Sequence, residues 1–202
     1  MITGLLVDLD GVLRLWDRAI MANAEHQGGL APGSLARAAF AHDLLLPAIT
    51  GVTTDAEWRT AVAARLAQEH GDAASRAAVQ AWSESPGAVN THVRGLVRRA
   101  RQRVRVGLLT NATSRLDRDL AALGLAGGVD VVVNSARVGI AKPDPRVFTT
   151  AMTLLGTCAS ETLFVDDTAA NVERSTAMGI RSHLFTESAN LEAWLRIHQV
   201  IT

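Results

Sequence analysis

From Val104 to the end of the chain, short apolar runs alternate with amphipathic stretches, and no other feature restricts the fold as much. VRVGLLTN (104–111) reads as a buried strand, and VDVVVNS (129–135), TLFVDD (162–167) and SHLF (182–185) as further short strands. SRLDRDLAALG (114–124), DPRVFTTAMTLLG (144–156) and residues 169–178 read as helices. Each of these closes on a glycine, and Pro145 stands near the start of the second. A helix over 190–200 finishes the pattern. Continuous apolar strands separated by helices predict a parallel sheet covered on both faces.

An earlier apolar run, ending in VDLDGVL (7–13), supplies a further strand, after which the pattern changes. Residues 14–89 show helical spacing and no convincing strand, with stretches at 15–27, 33–46, 55–70 and 73–82 punctuated by glycines. The expected organisation is an α/β core made of residues 1–13 and 90–202. Residues 14–89 form an all-helical cap inserted after the first strand, a lid over the carboxyl edge where open parallel sheets bind ligands.

Composition narrows the function classes. The 202 residues are 48% hydrophobic, which fits a packed core and excludes a disordered chain. Twenty basic residues balance twenty acidic ones, so no global field draws the chain to nucleic acid or to an anionic membrane. Six arginines fall within 94–105, and they read as the solvated face of a helix leading into a strand. Cys158 is the only cysteine. It excludes an internal disulfide, and without a histidine nearby in sequence it is a poor nucleophile. No apolar run reaches the roughly 18 residues of a membrane span, and the start of the chain lacks the pattern of a leader. A cytoplasmic protein, monomeric or homodimeric, is expected.

Chemistry collects at the strand ends. The first strand leads into Asp8 and Asp10, the second ends in Thr110-Asn111, the third leads to Lys142-Pro143, and the fourth ends in Asp166-Asp167. Singly, these would pass for turns or helix caps. Together, at the carboxyl ends of parallel strands, they would meet in one crevice. Asp8 and Asp10 would point the same way if the strand continued through them. Four carboxylates against one ammonium leave −3, which one divalent cation and one proton would cancel. Hard oxygen donors of this kind suit Mg²⁺ better than zinc.

DLDGV (8–12), LLTN (108–111), GIAKPDPRVF (139–148) and FVDD followed by TAAN (164–171) occur in the order found in the haloacid dehalogenase superfamily, which the chain resembles. That resemblance implies a Rossmann-like doubly wound core with a small helical cap. It also implies a Mg²⁺-dependent phosphatase acting on a small phosphorylated metabolite, such as a sugar phosphate. In the implied chemistry Asp8 is the nucleophile that forms an aspartyl-phosphate. Asp10 is the acid–base, and its backbone carbonyl touches the metal. Thr110 and Asn111 hold phosphate oxygens, and Lys142 neutralises the phosphoryl group and Asp8. Asp167 is expected to bind Mg²⁺ directly, and Asp166 directly or through water.

An intact Asp10 argues for phosphate esters and against carbon–halogen bonds. A mutase of the same superfamily, and a non-catalytic phosphate-binding protein that keeps the fold, are the alternatives. A phosphorylated receiver domain would carry its acidic pair after the first strand, where this chain has DxD. Asn171, four residues beyond Asp167, would orient the metal's surroundings or face solvent. Ser135 reads as a strand-end hydrogen bonder and Asp144 as a helix cap. Trp16, Trp58 and Trp82 would pack the cap or line its cavity. Arg14 would meet a second anion on the substrate or lie at the surface. The six histidines show no metal-ligand spacing, and His42-Asp43 reads as a solvent-facing pair.

Overall fold

The computed structural model describes residues 1–17 and 19–202. Five parallel strands form the central sheet: β1 (Gly4–Val7), β4 (Arg105–Thr110), β5 (Val131–Asn134), β6 (Thr162–Asp166) and β7 (Arg181–Leu184), in the order β5-β4-β1-β6-β7. Leu5 pairs in register with Val106 on one side and Leu163 on the other. The chain therefore builds outward from β1 in one direction through β4 and β5, then returns to add β6 and β7 on the other side. That reversal makes β1 the switch point of the sheet.

The alternation along each strand sorts the core into two layers. Leu5, Val7, Val106, Leu108, Leu163 and Val165 face one cluster, which α6 (Thr91–Ala100), α7 (Leu116–Ala122) and α11 (Ser188–Ile197) complete. Leu6, Leu109, Val133 and Phe164 face the other, against α9 (Pro145–Leu155). There the Phe148 and Phe164 rings meet edge-to-face at 5.3 Å, both fully buried. The expected caps are present. Asp144 accepts from the Arg146 N–H at the start of α9, and the left-handed Gly156 closes that helix. A four-residue helix, α8 (Ser135–Val138), follows β5, and α10 (Ala169–Ala177) joins β6 to β7.

Residues 19–83 hold five helices: α1 (Ala19–Gly28), α2 (Ser34–Ala39), α3 (His42–Ile49), α4 (Asp55–His70) and α5 (Asp72–Ser83). They enclose a hydrophobic cluster of their own, centred on Leu35, Val62, Leu66 and Ala78, with Trp58 and Trp82 edge-to-face at 5.3 Å. The region departs from its sequence reading in three ways. Residues 33–46 are two helices, because Ala41 adopts an extended backbone between them. The stretch 15–27 does not begin as a helix. α1 starts at Ala19, whose N–H is taken by the Asp17 carboxylate at 2.8 Å. Finally, a two-stranded antiparallel ribbon is present: β2 (Arg14–Leu15) pairs with β3 (Ala88–Val89), tying together the two chain crossings into the helical block. Strands this short carry no period that a sequence could display.

Candidate active site

Asp8 follows β1 immediately and keeps one sheet bond, its N–H donating to the Val165 carbonyl at 2.9 Å. The chain then turns tightly, with Leu13 and Arg14 both donating to the Leu9 carbonyl. The strand therefore does not continue through Asp10, and the two carboxylates part. Asp8 Oδ1 lies 2.8 Å from Lys142 Nζ, whereas Asp10 is held by Arg14 Nε at 2.6 Å and Nη2 at 2.9 Å and by the Trp16 indole N–H at 2.6 Å. Arg14 reaches on to Asp119 at 3.0 Å, and Asp119 to Arg115 at 2.7 Å. Arg14 is thus neither a surface group nor a free cation. It is buried between two carboxylates. Burial alone would lower its pKa, but the bond to Asp10 and the charges of Asp10 and Asp119 leave it raised.

Lys142 is the hub of the second group. Its Nζ donates to Asp8, to Asp166 Oδ2 at 2.7 Å and to the Leu109 carbonyl at 2.9 Å. Burial works against the ammonium, yet Asp8 and Asp166 outweigh it and raise its pKa. Asn111 fixes this lysine from the main chain, accepting from the Lys142 N–H at 2.8 Å and donating to its carbonyl at 2.9 Å. The Asn111 side chain is therefore engaged in placing the Lys142 loop. Asp166 is fully buried and accepts from Lys142, from the Thr168 N–H at 2.8 Å and from Asn171 Nδ2, 3.0 Å from each oxygen. Of the two readings of Asn171, the inward one holds. Ser135 Oγ bridges the N–H and carbonyl of Ala112, as its strand-end position suggests.

Asp167 approaches the Asp8 loop closely. Gly11 sits there with φ +79°, and a Cβ on it would fall 1.9 Å from Asp167 Oδ2. Only a glycine allows the two segments to meet. Asp8, Asp166 and Asp167 each bring a carboxylate oxygen within 4.8 Å of the others, a group that could hold a metal ion. Burial is the chief cause that pushes the Asp8 carboxyl up to about 7; Lys142 pulls it down, and Asp166 and Asp10 push it further up. Burial, then Asp166, also raises Asp167. Because Arg14 answers the charge of Asp10, three carboxylates and one ammonium remain, an excess of −2 that one divalent cation would cancel. In this count Asp10 rests ionised; to act as an acid it would carry a proton, with Arg14 then left to Asp119. The donors are all hard oxygens, which fits Mg²⁺.

The Thr110 hydroxyl, at the carboxyl end of β4, is buried without a hydrogen-bond partner among the described residues. A buried hydroxyl left this way costs roughly 1–3 kcal/mol, which a ligand oxygen bound beside it would recover. Beside Asp10 and Asn111, a cavity of about 360 Å³ opens between the core and the helical block. Sequence reasoning passes over Asp119 and Gly11. Asp119 pairs locally with Arg115, but nothing nearby signals its bond to Arg14, which lies 105 residues away. Gly11 does give one, as the glycine that closes DLDG.

A family model for haloacid dehalogenase-like hydrolases matches residues 2–174. The chain belongs to that family. Among curated proteins it is 37% identical over 90 residues to a phosphatase of Mycobacterium tuberculosis, a match covering 44% of this chain and 42% of that one. It is 36% identical over 84 residues to the phosphoserine phosphatase of Thermus thermophilus, covering 41% and 34%. The matches thus span about two fifths or less of these relatives' lengths. Among solved structures, a haloacid dehalogenase family enzyme of Bacteroides thetaiotaomicron, in complex with magnesium and inorganic phosphate, superposes with a TM-score of 0.75. That similarity is at 23% identity and covers 95% of this chain and 99% of that one, so it shows the shared fold. Among the described residues no helix is long and apolar enough to cross a membrane.

Proposed function

We propose that this hydrolase is a Mg²⁺-dependent phosphatase that cleaves a small phosphate monoester through an aspartyl-phosphate on Asp8. The observation that carries the reading is the unpartnered Thr110 hydroxyl, at the β4 end beside the crevice where Lys142 links Asp8 and Asp166. A phosphoryl group bound there would give the hydroxyl its acceptor and Lys142 a further anion. The curated relatives named as phosphatases support the same reaction class.

Asp8, Asp166 and Asp167 would hold the cation, with the Asp10 carbonyl as a further donor. Bound Mg²⁺ would keep Asp8 ionised and offset charge on the transferring oxygens. The protein's own groups do the rest. An Asp8 oxygen attacks phosphorus, and the ester oxygen leaves with a proton from Asp10. Water then attacks the same phosphorus and returns a proton to Asp10, releasing phosphate and free Asp8. Lys142 and Thr110 hold the equatorial oxygens, while Asn111 keeps Lys142 in place. Arg14 and Trp16 fix where the Asp10 carboxyl sits.

Phosphate release from a panel of small esters, measured with Mg²⁺ and with chelator, tests this directly. Turnover should need the metal and fall by at least about a thousandfold in Asp8→Asn. Activity that survives Asp8→Asn would reject the mechanism.

A further inference from the structure

The cavity beside the site carries information about the part of the substrate that leaves. Much of its charged lining is engaged internally. Asp10 and Asp119 share Arg14, Asp55 accepts from Arg59 at 2.8 Å and from Thr113 at 2.8 Å, and Asp17 accepts from the Ala19 N–H. Arg59 also donates to Ser83 at 2.6 Å and lies 4.3 Å over the Trp82 ring, so among the described residues both arginines of the lining are already engaged. Among the described residues of the lining, four carboxylates outnumber two arginines, a balance that disfavours a second anion. Much of the remaining surface is hydrocarbon: Ile20, Met21, Phe40, Leu45, Ile49 and the face of Trp58, beside the smaller polar groups of Ser85 and Thr113. Phe40 is 57% exposed and Trp16 is 42% exposed, an amount of uncovered aromatic surface that a ligand's hydrocarbon would bury. A sugar would need donors for its hydroxyl oxygens, and among the described residues the N–H donors of Arg14, Trp16 and Asn111 are already engaged by protein acceptors.

We propose that the cavity selects phosphate monoesters whose alcohol part is uncharged and rich in hydrocarbon, aromatic or branched aliphatic, over sugar phosphates and over esters bearing a second anion. This deepens the phosphatase reading and rests on it. Its volume of about 360 Å³ lies at the small end of ligand pockets, roughly 300–1,000 Å³, and suits a single ring or a short branched chain. The family resemblance points to a sugar phosphate as one example; the lining is the more specific guide.

Benzyl phosphate, glucose 6-phosphate and O-phosphoserine are all esters of primary alcohols, so their intrinsic reactivities are close and kcat/KM reports recognition. Benzyl phosphate should lead both others by at least about tenfold. In Phe40→Ala, an exposed position whose change threatens folding little, that lead should shrink several-fold. Parity among the three esters, or a lead for either polar one, overturns the proposal while leaving the phosphatase intact. Acetyl phosphate, whose leaving group asks little of the cavity, serves as the control for chemistry. If even acetyl phosphate is untouched, the phosphatase reading falls, and titration of tryptophan emission with benzylphosphonate decides the rest. Quenching by benzylphosphonate but not by inorganic phosphate supports an apolar ligand cavity, and equal or absent quenching overturns it.

Discussion

At the scale of single residues, the site depends on two kinds of partner that differ in how visible they are in a sequence. The carboxylates Asp8, Asp166 and Asp167 were legible because strand ends are local features and a parallel sheet brings them together whatever else the chain does. The partnership of Asp10 with Arg14 and Asp119 was not, since it depends on a tight turn after Leu9 and on a helix 105 residues away. Likewise Asn111 was read as a phosphate ligand from its place in LLTN, and nothing nearby announces its two bonds to the Lys142 main chain. Gly11→Ala follows from geometry. A Cβ in the left-handed region costs about 1–2 kcal/mol and would displace Asp167, so Mg²⁺ affinity by calorimetry should fall at least about tenfold in a protein that still folds. Unchanged affinity would mean that Asp167 is not a ligand. Lys142→Met removes the one cation buried among Asp8 and Asp166, and should cost roughly 3 kcal/mol in denaturant unfolding without metal. Added Mg²⁺ should recover part of that loss.

Among elements, β1, β4, β5 and β6 were readable as apolar runs followed by helical stretches, whereas β7, Arg181–Leu184, is a partly exposed edge strand with one apolar residue; the observed ends fall close to the expected ones. The helical block was less so. Its α2–α3 break at Ala41 has neither glycine nor proline to signal it, and the β2–β3 ribbon is too short for alternation to show. How the block sits on the core is equally a matter of tertiary contact. Gly51, at φ +75°, brings its backbone against α8 so closely that a Cβ would fall 2.1 Å from the Ala136 carbonyl. Gly51→Ala should therefore push the loop off α8, raising KM several-fold for any ester that uses the cavity; steady-state kinetics would show whether kcat is spared. A second element contact is electrostatic. Glu192 on α11 meets Arg99 and His92 of α6 and Arg196 on its own helix, each at 2.9 Å. The bonds to Arg99, His92 and Arg196 hold its carboxyl down at about 2, from an ordinary 4.5. A depressed carboxylate stabilises the fold above the unfolded value and loses that effect as pH falls through the folded one. Wild type should melt above Glu192→Gln at neutral pH, and the gap in Tm should close between pH 4.5 and 2. A constant gap would assign the effect to packing.

For the whole molecule, the order β5-β4-β1-β6-β7 explains why one crevice collects residues as far apart as Asp8 and Asp167. β1 stands in the middle, β4 and β6 flank it, and all three present their carboxyl ends together. The helical block enters the chain where β1 ends, so it stands beside that crevice without interrupting the sheet, and the cavity lies between the two. In the proposed function such a layout would divide the labour, the core providing the phosphoryl chemistry and the block the surface met by the leaving group. The central claim is that Asp8 carries the phosphoryl group, and acid quench of the working enzyme followed by peptide mass analysis tests it most directly. With Mg²⁺ and acetyl phosphate, one phosphoryl group should appear on the peptide containing Asp8, disappear with chelator, and never form in Asp8→Asn. Steady turnover with no phosphorylated Asp8 at any quench time, or the group found on Asp10, would contradict the account.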